Sequence, residues 1–226
     1  MGMSVANTQI RFLLNTLHQE RSGKGVLQKG PGQKVIPAVK QAHHTLARFF
    51  GELSDWYAGQ GGWNGRLREP PPVEQRLSAD LLQVHEGLRG ARGDAGDEND
   101  RLEISSFAER CRAMATAVDN WHQQKTPGWV YWIEMGDHRR GQVTLAARPI
   151  DVGPQIRAAL FDGVKSVILT SATLETGTPK PFEYLRGRLN LEGETKGLAL
   201  GSPFNYRQQL QVFVEADLPD PALREF

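Results

Sequence analysis

The stretch Ser166-Val-Ile-Leu-Thr-Ser-Ala-Thr-Leu174 is the most informative part of this 226-residue sequence. It is an apolar, β-branched run that ends in the hydroxyl residues Thr170, Ser171 and Thr173. Such a run is typical of a buried strand, and the chain that leaves the carboxyl end of a strand in an open α/β sheet faces the ligand crevice. On spacing alone, the hydroxyl residues also fit a simple turn that caps a helix. The surrounding sequence must therefore decide between the two interpretations.

Short apolar runs alternate with helical stretches on both sides of this segment, from residue 127 onward. The pattern predicts a hairpin from residues 129–135 and 143–147 and short helices over 154–161 and 182–189. Further strands are predicted over 164–169, 198–200 and 210–214. This alternation indicates an α/β layer, although one too small to be a complete doubly wound domain.

Before residue 126 the apolar residues recur at three- and four-residue spacing, which predicts helices. The predicted helices cover about 4–18, 36–57, 73–88 and 102–121, and Asn99 or Asp100 is the predicted cap of the last one. The second is the clearest, and its apolar stripe includes Trp56 and Tyr57, which we expect to pack in a core. Four helices with connections of this length indicate a helical insertion.

Composition and charge limit the function classes. The chain is 39% hydrophobic and 23% charged with a formal net charge of +1, so nucleic-acid binding would require a local patch. The single cysteine, Cys111, excludes an internal disulfide and a four-cysteine metal or iron–sulfur site within the chain. No apolar run approaches the roughly 20 residues that span a membrane, and the N-terminus has no secretion signal.

The order of four segments resembles the DinG/XPD-like helicases of superfamily 2. These segments are Val-Ile-Leu-Thr-Ser-Ala-Thr-Leu at 167–174, Phe-Glu-Tyr-Leu-Arg-Gly-Arg-Leu at 182–189, Leu-Gly-Ser-Pro-Phe-Asn-Tyr at 200–206 and Ala-Asp-Leu-Pro-Asp at 216–220. Residues 9–17, with Lys24-Gly25, look like the chain just after that family's Asp-Glu-Ala-His box. The resemblance is specific from about residue 164 to 220 and weak before residue 126.

The resemblance implies an α+β or α/β fold, in which a helical Arch-like insertion is attached to part of a parallel-sheet, RecA-like motor domain. Residues 4–126 would be the Arch domain, 127–205 the last part of the first motor domain, and 206–226 a linker toward the second. Thr170, Ser171, Ala172 and Thr173 would form helicase motif III, which couples nucleotide state to DNA binding. Ser202, Pro203 and Phe204 would shape the exit toward the second motor domain.

Members of that family move 5′ to 3′ along single-stranded DNA. The resemblance also implies a role in DNA repair and a location in the cytoplasm, at the nucleoid. ATP and Mg²⁺ would bind the full-length protein, and an iron–sulfur cluster is possible only outside this chain. The sequence has no Gly-x-x-x-x-Gly-Lys-Ser/Thr loop and no Asp-Glu-Ala-His box. We therefore expect this chain to bind no cofactor and to hydrolyse no ATP by itself, with single-stranded DNA and the missing motor domains as its partners.

A basic segment near the start is the candidate DNA contact. Between residues 18 and 48 the only acid is Glu20, and a flexible Gly/Lys loop there could contact phosphates without reading sequence. A solvated loop is the alternative. Trp63, in a glycine-rich loop, is the tryptophan to test for base stacking. The candidate DNA-binding residues are Lys24, Lys29, Lys34, Lys40 and Arg48.

Other patterns favour packing or solvation. His43-His44 has no further His, Cys or acidic residue at helical spacing that could complete a metal site. Cys111 occupies an apolar helix position, so the cysteine should be buried. The acidic loop 94–100 lacks the ligand order of a calcium loop.

A rival hypothesis comes from a different class of protein. The near-neutral charge and the absence of catalytic motifs also fit a stand-alone helical module that recruits a partner protein and does no chemistry. That module predicts an apolar surface patch, whereas a motor fragment predicts an incomplete sheet with an open edge.

Overall fold

The computed structural model describes residues 2–28, 30–61, 64–93, 97–136, 141–175, 180–191, 193, 195–215 and 217–218. The chain forms two compact units, Met1–Gln155 and Ile156–Phe226. The division between them falls after the hairpin, whereas the sequence suggested a boundary at residue 126. The hairpin therefore belongs to the same unit as the helices.

All four predicted helices of the first unit are present. The sequence before the first helix differs from the prediction, because residues 3–6 form a strand that pairs with another strand far along the chain. The last helix is capped by Asp97, whose carboxylate accepts the N–H of Asp100 at 2.8 Å, so the predicted caps were wrong by two or three residues. Among the described residues the helices of this unit are α1 (Asn7–Leu17), α2 (Ile36–Ala58), α3 (Leu77–Arg92) and α4 (Glu98–Gln123).

The apolar stripes of these helices meet in one core. Helix α3 packs on both α2 and α4, and α1 packs on α2. Trp121 of α4 is fully buried, and its indole N–H donates to the carbonyl of Trp132 at 3.1 Å, which fixes α4 against the sheet. A buried tryptophan combines a large apolar area with a polar atom that needs a partner. Fully buried side chains of this core include Ile10, Leu14, Phe49, Leu81 and Trp121.

Within the described residues the unit also holds a four-stranded antiparallel sheet in the order β1-β4-β3-β2. The strands are β1 (Met3–Ala6), β2 (Arg66–Leu67), β3 (Trp129–Met135) and β4 (Val143–Pro149). Strands β3 and β4 confirm the predicted hairpin. Alternation along β3 places Tyr131 and Ile133 in the core, so Val130 and Trp132 lie on the opposite face.

The first residues of the unit are held against its last strand. Met3 pairs with Ala147 in the β1–β4 ladder. Asn7, which begins α1 and is 3% exposed, donates from Nδ2 to the Gly141 carbonyl at 2.9 Å and accepts the Val143 N–H at 3.2 Å. Chain segments that are about 140 residues apart in sequence are thus adjacent.

The second unit differs more from the sequence prediction. Within its described residues it contains α6 (Glu183–Arg188), as predicted, and α7 (Tyr206–Gln209), and the chain enters it through α5 (Gly153–Ile156) and a π-helical turn over Arg157–Phe161. The predicted strands 164–169, 198–200 and 210–214 are not strands in this part of the structure, and Ile168 and Phe213 are 86% and 83% exposed. A strand that is apolar on both faces needs neighbouring strands and covering helices. These runs have neither here, so the described residues contain no parallel RecA-like sheet.

Within the described part of the chain, no helix is both long enough and apolar enough to cross a bilayer.

Candidate functional site

The segment 170–173 forms an exposed turn of the second unit. The hydroxyl oxygens of Ser171 and Thr173 lie 3.1 Å apart, and the Thr173 N–H donates to Ser171 Oγ, also at 3.1 Å. Serine and threonine hydroxyls commonly stabilise turns through such local bonds. The turn is therefore shaped by its own side chains. It holds Thr170, Ser171, Ala172 and Thr173.

This turn borders a groove of about 1030 Å³ within the second unit. Residues 195–200 also line the groove, and Arg186 donates to the Thr195 carbonyl at 3.0 Å. Arg157 binds the Asn190 carbonyl at 2.8 Å and pairs with Asp162 at 3.4 Å. The charged residues that line the groove are Arg157, Asp162, Lys165, Glu175, Arg186 and Lys196.

The groove can bind an anion more readily than it can carry out chemistry. Its described lining has four cations and two carboxylates, together with exposed hydroxyl groups. Arginine, lysine and hydroxyl groups are the usual partners of phosphate oxygens. Among the described residues of the chain, no cluster of histidine, cysteine, aspartate or glutamate side chains could hold a metal ion.

The Ser-Pro-Phe segment forms a second exposed turn, at the start of α7. Ser202 Oγ donates to the Tyr206 hydroxyl at 2.8 Å and accepts the Phe204 N–H at 3.2 Å. The rings of Phe204 and Tyr206 lie 6.4 Å apart. The described lining of the groove ends at Leu200, so Ser202, Pro203 and Phe204 are not brought into it.

The basic candidates lie in the first unit. Lys24, Lys34 and Lys40 are exposed, and Lys29 lies outside the described residues, as do Trp63 and residues 94–96 of the acidic loop. Arg48 is exposed but lies 3.6 Å from Glu74 and 4.0 Å from Glu52. Two carboxylates therefore already neutralise the charge of Arg48, which weakens its case as a phosphate contact.

The segment that carries Lys24 is more ordered than a flexible Gly/Lys loop. It contains two 3₁₀ turns, Val26–Gln28 and Gly30–Val35, and the side chain of Leu27 is buried in the core. Gly25 has φ of +147°, and a Cβ there would lie 2.3 Å from the Leu17 carbonyl oxygen. Only glycine fits that conformation and contact. The segment therefore has regular turns and an apolar anchor, Leu27, which the sequence pattern did not predict.

Two titratable side chains have shifted pKa values for structural reasons. Burial lowers the pKa of His43, whose Nε2 lies 3.3 Å from the His18 carbonyl. Burial raises the pKa of the Cys111 thiol to about 12, and the side chain is buried in α4 as predicted. A thiol in that state is neither a nucleophile nor a metal ligand at neutral pH.

Sequence reasoning missed a set of residues on the sheet face that points away from the core. Arg66, on β2, pairs in register with Trp132, and the guanidinium of Arg148 lies 5.8 Å from the centre of the Trp132 ring. The available signal was alternation in the hairpin, because Trp132 lies between the inward-facing Tyr131 and Ile133.

Comparisons with known proteins agree in part with the resemblance. No family model matches the chain. Over 123 residues, 53% of this chain, it is 32% identical to the ATP-dependent helicase DinG of Mycobacterium tuberculosis and to that of Mycobacterium bovis. The chain is distantly and partly related to a helicase. The matched stretch covers 17% of the length of each relative.

Proposed function

We propose that this chain is part of an ATP-dependent DNA helicase of the DinG kind, in which the first unit guides single-stranded DNA and the 170–173 turn couples nucleotide state to DNA contact. The observation that carries the proposal is the 32% identity to DinG helicases over 123 residues. ATP and Mg²⁺ would be held by other parts of the motor, because phosphoryl transfer needs a phosphate loop and metal-binding carboxylates together. The chain by itself would hydrolyse no ATP.

The geometry of the first unit supports its role as an insertion, the Arch-like domain of the proposal. A domain inserted into another must enter and leave at neighbouring points. Here β1 and β4 are paired strands, and Asn7 binds both Gly141 and Val143. The two ends of the helical unit are therefore held together by its own backbone and side chains.

The exposure of apolar residues in the second unit supports the existence of further motor segments. Ile168, Leu200 and Phe213 are each more than 80% exposed, and the runs 164–169 and 210–214 have the β-branched composition of strands. Exposed apolar runs of this kind mark surfaces that are normally covered by protein. In our proposal the covering elements are the remaining strands and helices of the same polypeptide.

The same exposed runs also fit the rival, a protein-interaction module without catalysis. The two proposals differ in what precedes and follows the chain in the cell. Peptide mapping of the native protein decides between them. Peptides that carry a Gly-x-x-x-x-Gly-Lys-Ser/Thr loop on the same polypeptide support the helicase, and a native chain that coincides with these 226 residues supports the module.

The coupling role of the turn is tested in the intact polypeptide with the double variant Ser171→Ala/Thr173→Ala. We expect ATP hydrolysis to continue while the unwinding of a forked duplex per ATP falls roughly tenfold, which corresponds to about 1.4 kcal/mol of lost coupling. Thr16→Ala, which removes an exposed hydroxyl bonded to its own helix, is the matched control. Unwinding that stays at the control level in the double variant would remove the turn from the mechanism.

A further inference from the structure

The outer face of the sheet in the first unit carries an aromatic residue between arginines. We call the patch formed by Arg66, Arg68, Val130, Trp132 and Arg148 the outer sheet face. The register places Arg66 opposite Trp132 and Arg148 opposite Val130. Arg66 and Arg148 lie on strands on either side of β3 and are offset by two register positions, so their backbones are about 12 Å apart. An arginine is therefore present on each of the two strands that flank the strand of the indole.

The arginines of this face are oriented but not neutralised. The Arg148 guanidinium donates to the carbonyls of Met3 and Ala147, at 2.8 and 3.0 Å, and lies 5.8 Å from the centre of the Trp132 ring. Arg66 and Arg68 border a cavity of about 830 Å³ at the edge of the sheet. Among the described residues, none of these arginines forms an ion pair.

The indole is oriented as well. Trp132 is partly exposed, and its Nε1 donates to Glu134 Oε1 at 2.7 Å. Glu134 thus places a carboxylate at the edge of the ring. That bond uses the edge of the indole, since the N–H lies in the ring plane. Because the Arg148 guanidinium lies over one face of the ring, the opposite face is the one on which a base would stack. A fixed ring needs little ordering when a ligand stacks on it.

This arrangement has the chemistry of a single-stranded nucleic-acid site. Aromatic side chains stack on bases whatever their sequence, and arginines along the same groove bind the phosphates. An apolar protein partner would have to desolvate three unpaired guanidinium groups, which is costly. An acidic peptide would use the arginines and leave the ring without a role. The positive charge and the aromatic surface together favour a single-stranded nucleic acid, which has both negatively charged phosphates and flat bases.

We propose that the outer sheet face binds single-stranded DNA, with a base stacked on Trp132 and the flanking phosphates at Arg66, Arg68 and Arg148. The choice of DNA as the nucleic acid rests on the proposed helicase function. This site is distinct from the lysines around Lys24 and from the 170–173 turn.

The test is the binding of a fluorescein-labelled 20-mer of deoxythymidine to the 226-residue chain, by anisotropy at several salt concentrations. Arg66→Ala/Arg68→Ala should weaken binding and reduce the magnitude of the slope of log affinity against log salt by about 1.4, at about 0.7 per phosphate contact. Trp132→Leu should weaken binding about tenfold, and Trp132→Phe should restore most of the affinity because it still stacks. The matched control is Arg11→Ala/Arg89→Ala, which removes two exposed arginines elsewhere in the unit.

Three outcomes would overturn the site. The control pair could reduce affinity as much as Arg66→Ala/Arg68→Ala, or Trp132→Leu could bind as tightly as Trp132→Phe. Either result would mean that the chain binds DNA only by nonspecific electrostatic attraction. The third is a dimer, seen by size exclusion, that Trp132→Leu dissociates without changing DNA binding, since the face would then join two copies of the chain. Circular dichroism of each variant establishes that it is folded.

The site and the helicase proposal can fail separately. If ribouridine and deoxythymidine 20-mers bind with equal affinity in a Trp132-dependent way, the outer sheet face is a nucleic-acid site. If the intact wild-type polypeptide then shows no DNA-stimulated ATP hydrolysis, that result counts against the helicase proposal alone. DNA-stimulated hydrolysis that is unaffected by Trp132→Leu, together with unchanged oligonucleotide affinity, overturns the outer sheet face and leaves the helicase proposal standing.

Discussion

Replacing Asn7 by alanine tests whether the two ends of the first unit are held together by this one side chain. The change removes the bond from Nδ2 to the Gly141 carbonyl and leaves the Val143 N–H without its acceptor. Val143 is 1% exposed, so water does not readily replace the lost partner. A lost hydrogen bond together with a stranded buried donor lowers the free energy of unfolding by about 3 kcal/mol.

In a protein of this size that loss corresponds to a fall of roughly 9 °C in the melting temperature. Urea denaturation followed by circular dichroism measures the free energy directly, and the slope against urea should be unchanged. Asn7→Asp keeps an acceptor for Val143 and should fall between wild type and Asn7→Ala. Asn15→Ala, a partly exposed asparagine on the same helix, is the control.

A free energy of unfolding for Asn7→Ala within about 0.5 kcal/mol of the control, the usual range of surface substitutions, would contradict a structural role for the Asn7 side chain. It would mean that the β1–β4 ladder alone holds the ends together.

Three further predictions follow from individual contacts. Gly65 has φ of +83°, and a Cβ there would lie 2.3 Å from a β3 carbonyl oxygen, so Gly65→Ala should lower the free energy of unfolding by about 1–3 kcal/mol in urea. The loss should exceed that of Gly128→Ala, which also has a positive φ but no close neighbour; equal losses would exclude the contact as the cause. The Cys111 thiol, with its pKa raised to about 12, should react with a disulfide reagent at pH 8 only in denaturant, and rapid reaction in buffer would contradict its burial. Burial lowers the pKa of His43 below its ordinary 6.5, so the unfolded chain binds a proton at a higher pH than the folded protein does. The free energy of unfolding should therefore decrease as the pH falls below about 6.5. His43→Gln should reduce that decrease relative to wild type.

Elements with a strong local pattern were predictable from the sequence. Helix α2 has bulky apolar residues at three- and four-residue spacing over 23 residues, and only one conformation buries them all on one side. The two strands of the hairpin were recognisable as short runs rich in aromatic and β-branched residues with Gly136 and Gly141 in the connection. The burial of Cys111 follows from its position on the stripe of α4.

Other features depend on partners that are distant in sequence. Strand β1 is four residues long and has no pattern of its own, and it is a strand because it pairs with β4. The run 164–169 has the composition of a strand and lacks neighbours within the described residues, so composition alone was misleading there. Asn7 looked like an ordinary helical residue until Gly141 and Val143 were placed beside it.

The candidate sites divide in the same way. The Ser-Ala-Thr segment and its resemblance to helicases can be recognised from residue order, because one continuous segment carries that information. Residue order does not show that Arg66, Trp132 and Arg148 share one face, because their juxtaposition requires three strands in a particular register. Local residue spacing sets the shape of a helix or a turn, whereas a surface assembled from separate strands exists only once the core has positioned them.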